Sequence, residues 1–354
     1  MALSSLLWLF ADKHGFCYRK TYFYIMIITR TPFRISFVGG GSDLEAFYSR
    51  RKGAVLSTTI NRYMYLSSHR FFEQDKIRVK YSRTETVGNI AELQHPIFRV
   101  AFERFKVSGG LEISSIADVP AGTGMGSSSS FTVGLLHNLY AATGQQVTKE
   151  QLAAEACDIE INLLREPIGK QDQYAAAYGG LNLFEFNPDG SVRVEPVQIS
   201  RDNLDYLQDQ LVLFYTGTQR SASEILQQQR ENTSNKKGAF EALSEMVDLV
   251  YELKNVLVSG RIDEMGRLLH ENWLLKKSLT GSISSGAIEQ AYDTALKHGA
   301  TGGKLLGAGG GGFLLFYCPK EKQSELIESL QPLRLFDCKF DEEGSKLIYY
   351  GEQY

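Results

Sequence analysis

Three glycine-rich stretches punctuate this chain, and each lies against an apolar run. Gly39-Gly40-Gly41 follows Arg34–Val38, RISFV. Gly122 to Gly126 lies within PAGTGMGSSSSF, residues 120–131. Gly302 to Gly312 precedes Phe313–Cys318, FLLFYC. Glycine is costly inside regular elements and useful where backbone must come close to a ligand. A chain patterned this way is expected to hold a scaffold around bare backbone loops.

The segments between the loops are readable by period. Alternating apolar residues predict strands over 34–38, 55–67, 76–81 and 111–119. Helices are expected over 44–51, 95–105, 128–143 and 148–165, the last with Thr148 as N-cap and Gln151 as capping-box partner. Asn187-Pro188-Asp189-Gly190 is a turn signal. Beyond residue 205 one strand, 210–216, is followed by helices over 221–232, 238–258, 261–277 and 284–298. The pattern predicts an α+β protein in two halves, 26–200 and 201–354, with the site between them. Met26 precedes the first strand pattern, so residues 1–25 are expected to be a non-native or disordered extension. N-terminal sequencing of the native protein checks this.

Composition narrows the function classes. With 354 residues, 43% hydrophobic and 22% charged, the chain is long enough for two domains of ordinary soluble character. A net charge of −3 gives no global field for nucleic acid or an anionic membrane. The run Leu3–Ala11 is too short to span a bilayer and lacks a basic flank. Cys17, Cys157, Cys318 and Cys338 form no paired motif, so free thiols and a cytoplasmic location are expected.

The second glycine stretch lies between a strand and a helix, where backbone N–H groups and the helix N-terminus make an anion site. It lacks the lysine of a P-loop. A flexible linker is the alternative. In the third stretch Gly307, Gly309 and Gly312 match G-x-G-x-x-G, but they open a strand rather than a helix, so a dinucleotide fingerprint is excluded. That loop is expected to pack against a phosphate, against the second stretch, or simply as a tight turn. Between them, Glu160 to Gly180 reads EINLLREPIGKQDQYAAAYGG. Asp172 lies two residues after Lys170, a cation that would favour its carboxylate form and so its use as a proton acceptor. Glu160, twelve residues upstream, offers an oxygen ligand to Mg²⁺. Either acid taken alone is more often a solvated surface group.

These segments, in this order, resemble the motifs of the GHMP kinase superfamily. P-x-x-x-G-L-G-S-S-A-A is matched at 120–130 with Met125 for leucine, and G-x-x-x-x-G-A-G-x-G-G at 302–312. The resemblance implies a ribosomal-S5-like N-terminal half and a ferredoxin-like C-terminal half, with ATP and Mg²⁺ as cofactors. It implies ATP phosphates held by Pro120, Gly122, Gly124, Met125, Gly126, Ser127, Ser128 and Ser129, metal ligation by Ser128 and Glu160, and catalysis by Asp172 with Arg34. It puts the acceptor against Gly40, Gly41, Ser42, Asp43, Lys170, Gly309 and Gly310.

The first motif, PFRISFVGGGSDL at 32–44, and PIGKQDQ at 167–173 are similar to those of bacterial D-glycero-D-manno-heptose 7-phosphate kinases. The implied reaction phosphorylates the C1 hydroxyl to the 1,7-bisphosphate, for nucleotide-activated heptose and surface polysaccharide. The partners implied are ATP and a sugar phosphate, in a monomer or homodimer, with no nucleic acid and no membrane. A fucokinase or other C1-sugar kinase is the alternative, a silent sugar- and ATP-binding regulator another, and a decarboxylase of the superfamily a third. Lys304, Arg78 and Lys170 are equal candidates for the substrate phosphate.

Overall fold

The computed structural model describes residues 25–218 and 222–351. The expected N-terminal extension lies outside them up to residue 24, as does Cys17. Among the described residues no helix is long and apolar enough to cross a membrane. Cys157, Cys318 and Cys338 are free thiols, the first two buried.

The described residues form two sheets covered by helices. The first has nine strands, with the hydrogen-bonded path Lys346–Tyr350, Ile27–Val38, Gly53–Arg70, Leu111–Ala117, Ile77–Lys80, Thr84–Val87. The hairpin Asn182–Phe186 and Val192–Pro196 joins it through Gly53–Ser57, closed by the expected turn at Asn187–Gly190. The second sheet is antiparallel, in the order Arg334–Phe336, Leu211–Tyr215, Phe313–Tyr317, Gly302–Leu305. The chain then returns: Phe340–Asp341 pairs with Gly53–Arg70, and Lys346–Tyr350 with Ile27–Val38. We propose 26–200 and 201–354 as the two domains, the second ending in strands contributed to the first sheet.

Ile27–Val38 is the spine. Its residues alternate in burial over 27–30 and are continuously buried from Thr31 to Val38, as expected of a strand covered on both faces. Pro32 has no N–H for the ladder, and the register with Gly53–Arg70 shifts between Pro32 and Phe33. Helix Ser127–Ala142 packs on this strand, and Gly134 lets it approach: a Cβ there would stand 2.8 Å from the Thr31 hydroxyl.

Two expectations are revised and one unassigned stretch gains structure. The helix expected over 148–165 is capped by Thr148 as anticipated, but its α-helical part ends at Cys157 and Asp158–Leu163 form a π-helix. Such wider turns mark functional sites, and this one carries Glu160. Residues 171–178, for which no element is expected, form a short helix with Asp172 in its first turn. Gly302 and Gly303, expected in a loop, lie in a strand. They are glycine because of close packing: a Cβ on Gly302 would stand 1.8 Å from the Gly266 carbonyl of helix Met265–Leu279.

Burial pushes the pKa of His137 and His95 down. His137 sits against the Ser345 hydroxyl at 3.0 Å, tying the returning segment to helix Ser127–Ala142. A depressed histidine pKa means that the unfolded chain binds more protons, so stability present above pH about 6.5 is lost as pH falls. The melting temperature is therefore expected to decline more steeply with acidification in the wild type than in His137→Gln. Equal slopes would contradict this.

Candidate active site

A cleft of about 860 Å³ is lined by all three glycine stretches and by helices of both halves. Its floor is built around Arg34, which is 4% exposed. The Arg34 backbone N–H donates to the Met125 carbonyl at 3.2 Å. Its guanidinium donates to the Gly124 carbonyl at 2.6 Å and, through Nε at 2.7 Å, to Asp172 Oδ1. A second guanidinium nitrogen lies 2.6 Å from the same oxygen. One arginine thus fixes the second glycine loop and the Asp172 carboxylate together. The cation beside Asp172 is Arg34; Lys170 points elsewhere.

The loop is shaped by left-handed residues. Gly122, Gly124 and Gly126 have φ of 74°, 80° and 76°, a region that favours glycine. Gly126 caps helix Ser127–Ala142, whose first-turn N–H groups are free of intrahelical partners. A Cβ on Gly126 would stand 3.3 Å from Asp172 Oδ2. Met125 is fully buried and anchors the loop from below rather than facing the cleft. Pro120, Gly122, Gly124, Gly126 and Ser127 to Ser129 all line the cleft.

The third stretch packs against the second. A Cβ on Gly307 would stand 2.3 Å from the Gly124 Cα, and one on Gly312 would stand 2.2 Å from the Thr123 carbonyl. Of the packing partners considered for this loop, backbone of the second stretch is the one observed. Gly307 and Ala308 reach the cleft. Gly309 and Gly310 do not line it: Gly310 donates to the Ile283 carbonyl at 2.8 Å, and a Cβ on Gly309 would collide with Ile283 backbone.

At the first stretch, Gly40, Gly41 and Asp43 line the cleft. Asp43 accepts from the Gly41 N–H at 2.9 Å and from the backbone and side chain of Gln171 at 3.1 and 3.3 Å. Burial raises its pKa, helped by the nearby charge of Asp172 and opposed by the backbone donors. Ser42 is not at the wall; its hydroxyl donates to the Ala54 carbonyl and accepts the Ala54 N–H. Lys170 donates to the Gly190 carbonyl at 2.6 Å and lies over the Tyr48 ring. Arg78 lies away from the cleft, held by Thr86 and Glu112.

Glu160 is buried behind the serines. It accepts from the Ser128 hydroxyl at 2.6 Å and from the Gln173 amide at 2.7 Å. Burial pushes its carboxyl up to about 7 against those hydrogen bonds. Among the described residues no three His, Cys, Asp or Glu side chains gather as a metal site.

Two lysines complete the cleft. Lys304 donates to the Ser36 and Phe37 carbonyls at 2.8 and 2.9 Å, and burial drives its pKa well down. Lys276, absent from every motif, donates to the Gly307 carbonyl. Burial, with Arg34 nearby, lowers its pKa to about 8. In sequence it reads as one of two cations ending helix Met265–Leu279, which is the ordinary place for a solvated lysine. Gln229, Tyr81 and His95 also line the cleft and escaped motif reasoning, while Gln171 and Phe131 lie inside motifs that assign them no role.

Comparison with known proteins bears on the family and the fold. The GHMP kinases N terminal domain model matches residues 92–180, and the GHMP kinases C terminal model matches 239–332. The chain is 29% identical to D-glycero-alpha-D-manno-heptose 7-phosphate kinase of Campylobacter jejuni, over 90% of this chain and 98% of that one. It is 27% identical to the bifunctional fucokinase/GDP-fucose pyrophosphorylase of Arabidopsis thaliana, over 87% of this chain but 31% of that larger protein. The fold matches a D-glycero-D-manno-heptose 1-phosphate kinase from Bacteroides thetaiotaomicron with a TM-score of 0.75 at 24% identity, covering 91% of this chain and 99% of that one. With both family regions in place on a two-domain α/β framework that gathers the three glycine loops at one cleft, the chain belongs to the GHMP kinase family, phosphotransferases with an alcohol group as acceptor.

Proposed function

We propose that this kinase transfers the γ-phosphate of ATP to the C1 hydroxyl of D-glycero-D-manno-heptose 7-phosphate, giving the 1,7-bisphosphate in the cytoplasm. The observation that carries the reading is the Arg34–Asp172 pair on the cleft floor beside the N-terminus of helix Ser127–Ala142. The similarity in sequence along nearly the whole heptose 7-phosphate kinase chain supports the choice of sugar.

In this reading the free N–H groups of Gly122–Ser129 hold the nucleotide phosphates. The aromatic cluster of Tyr81, His95 and Phe131 offers the base an aromatic wall. Arg34 takes Asp172 Oδ1, which leaves Oδ2 to accept the hydrogen bond of the acceptor hydroxyl and its proton. Arg34 and Lys276 place fixed positive charge where charge on the transferred group spreads, and little covalent work falls to the protein.

Ser128 and Glu160 would hold Mg²⁺. A hydroxyl and a carboxylate 2.6 Å apart fit a hard cation that keeps water and phosphate oxygens as its other ligands, and a buried carboxyl with a raised pKa gains from a cation. The chemistry supplied by the ion when bound is neutralisation of charge on the phosphate oxygens.

The test is a 31P spectrum of the product from ATP and the heptose 7-phosphate, beside a coupled ADP-release assay over sugars and sugar phosphates. A second phosphate resonance at an anomeric position is expected. Turnover confined to unphosphorylated sugars such as fucose would replace this substrate by the alternative that the fucokinase similarity favours. Ligand binding without any turnover would make the protein a regulator.

A further inference from the structure

Among the described residues, three buried polar atoms around Gly40 and Gly41 have no hydrogen-bond partner: the Ser36 hydroxyl, Gln171 Oε1 and Gln229 Nε2. All three residues line the cleft. They come from strand Ile27–Val38, from the start of helix Gln171–Tyr178, and from helix Ala222–Asn235. The bare backbone of the loop lies between them. A Cβ on Gly40 would stand 3.6 Å from Ser36 Oγ and 3.7 Å from Gln171 Nε2, and one on Gly41 would stand 2.0 Å from Gln229 Nε2.

Their orientations are constrained. Gln171 spends its amide N–H on Asp43, which leaves the carbonyl as an unused acceptor. Gln229 is 1% exposed. Its helix is pinned on either side: Gln228 accepts from the Ser282 hydroxyl at 2.8 Å, and Asn232 donates to the Leu279 carbonyl at 2.8 Å. A buried donor without a partner costs about 1–3 kcal/mol, and native proteins leave few such groups. Three gathered on one wall of a cleft describe a ligand surface.

The set contains a donor, an acceptor and a hydroxyl that can be either, beside the Asp43 carboxylate. The carboxylate and the Gln171 carbonyl oxygen repel an anion. Neighbouring hydroxyls, each able to donate and accept, match the set. We propose that Ser36, Gln171 and Gln229 read two adjacent acceptor hydroxyls other than the one phosphorylated, with Gln229 the specificity-determining donor. The proposal rests on the sugar-kinase reading above. It adds that a helix of the C-terminal half helps choose the sugar.

The experiment measures kcat and KM for the wild type, Gln229→Met and Gln229→Glu with the heptose 7-phosphate and its monodeoxy series. Met keeps the volume and removes the donor; Glu replaces it with an acceptor. KM for the sugar is expected to rise about 10- to 100-fold in Gln229→Met, the worth of one buried hydrogen bond, and KM for ATP to stay unchanged. One deoxy analogue should lose that same factor in the wild type and nothing further in the variant. An unchanged sugar KM in both variants, or deoxy penalties equal in wild type and variant, would overturn the proposal. If the wild type ignores the heptose phosphate but phosphorylates another sugar, the substrate assignment fails, and the same cycle with that sugar's deoxy series decides the role of Gln229.

Discussion

Asp172→Asn is expected to lower kcat by about 10²- to 10⁴-fold, the usual range for a positioned proton acceptor. ATP affinity should stay within about twofold. The asparagine keeps the size of the side chain and can offer Arg34 one oxygen at the place of Oδ1. It cannot take a proton at the second position. Because Arg34 also grips the Gly124 carbonyl at 2.6 Å, the nucleotide loop keeps its main tether when the charge at 172 is lost. Nucleotide titration and single-turnover kinetics separate the two effects. A kcat within threefold of wild type would remove Asp172 from the chemistry, and a matching loss of ATP binding would make it a structural partner of the loop.

The second large effect is expected at Gly307. Its φ is +72°, and a Cβ there would stand 2.3 Å from Gly124 Cα and 2.9 Å from the Gly124 carbonyl oxygen. Both neighbours are backbone and cannot rotate away. Gly307→Ala therefore combines a left-handed penalty of about 1–2 kcal/mol with an overpacking cost of about 1–3 kcal/mol. Together these should lower the melting temperature by about 3–7 °C. The clash also pushes on the loop proposed to hold the phosphates, so kcat/KM for ATP should fall at least about tenfold. Gly144→Ala is the control: its φ is +66°, but a Cβ there meets nothing within 4 Å. If Gly307→Ala behaves like Gly144→Ala, the two loops do not brace each other.

The two substitutions probe one arrangement from opposite sides. Arg34 ties Asp172 to the second loop, and the third loop holds the second from behind. Lys276 adds a further tie from helix Met265–Leu279 to the Gly307 carbonyl. The cleft wall is thus assembled from both halves of the chain, which is why the return of strands 340–341 and 346–350 to the first sheet matters for the site. It clamps the second half onto the strand that carries Arg34.

What the amino-acid sequence determined by itself is local. Glycines with positive φ, the Thr148 cap, the turn at Asn187–Gly190 and the period of the long helices are each set by a few neighbouring residues, so they were legible. So was the order of the three glycine stretches. The mutual placement of groups far apart in the chain was decided only on folding. Arg34 and Asp172 are 138 positions apart; the family resemblance pairs them, but no local pattern near either one does. Lys170 was the nearer cation in sequence, yet the short helix Gln171–Tyr178 turns Asp172 to Arg34 and leaves Lys170 to the Gly190 carbonyl. Ser42 looked like its neighbours but spends its hydroxyl on Ala54, whereas Lys276 and Gln229 belong to no motif and still line the cleft. Backbone preference is a property of a few adjacent residues. Which side chains meet across a cleft depends on strand register and on how two sheets close together, and that is settled by the packing of the whole chain.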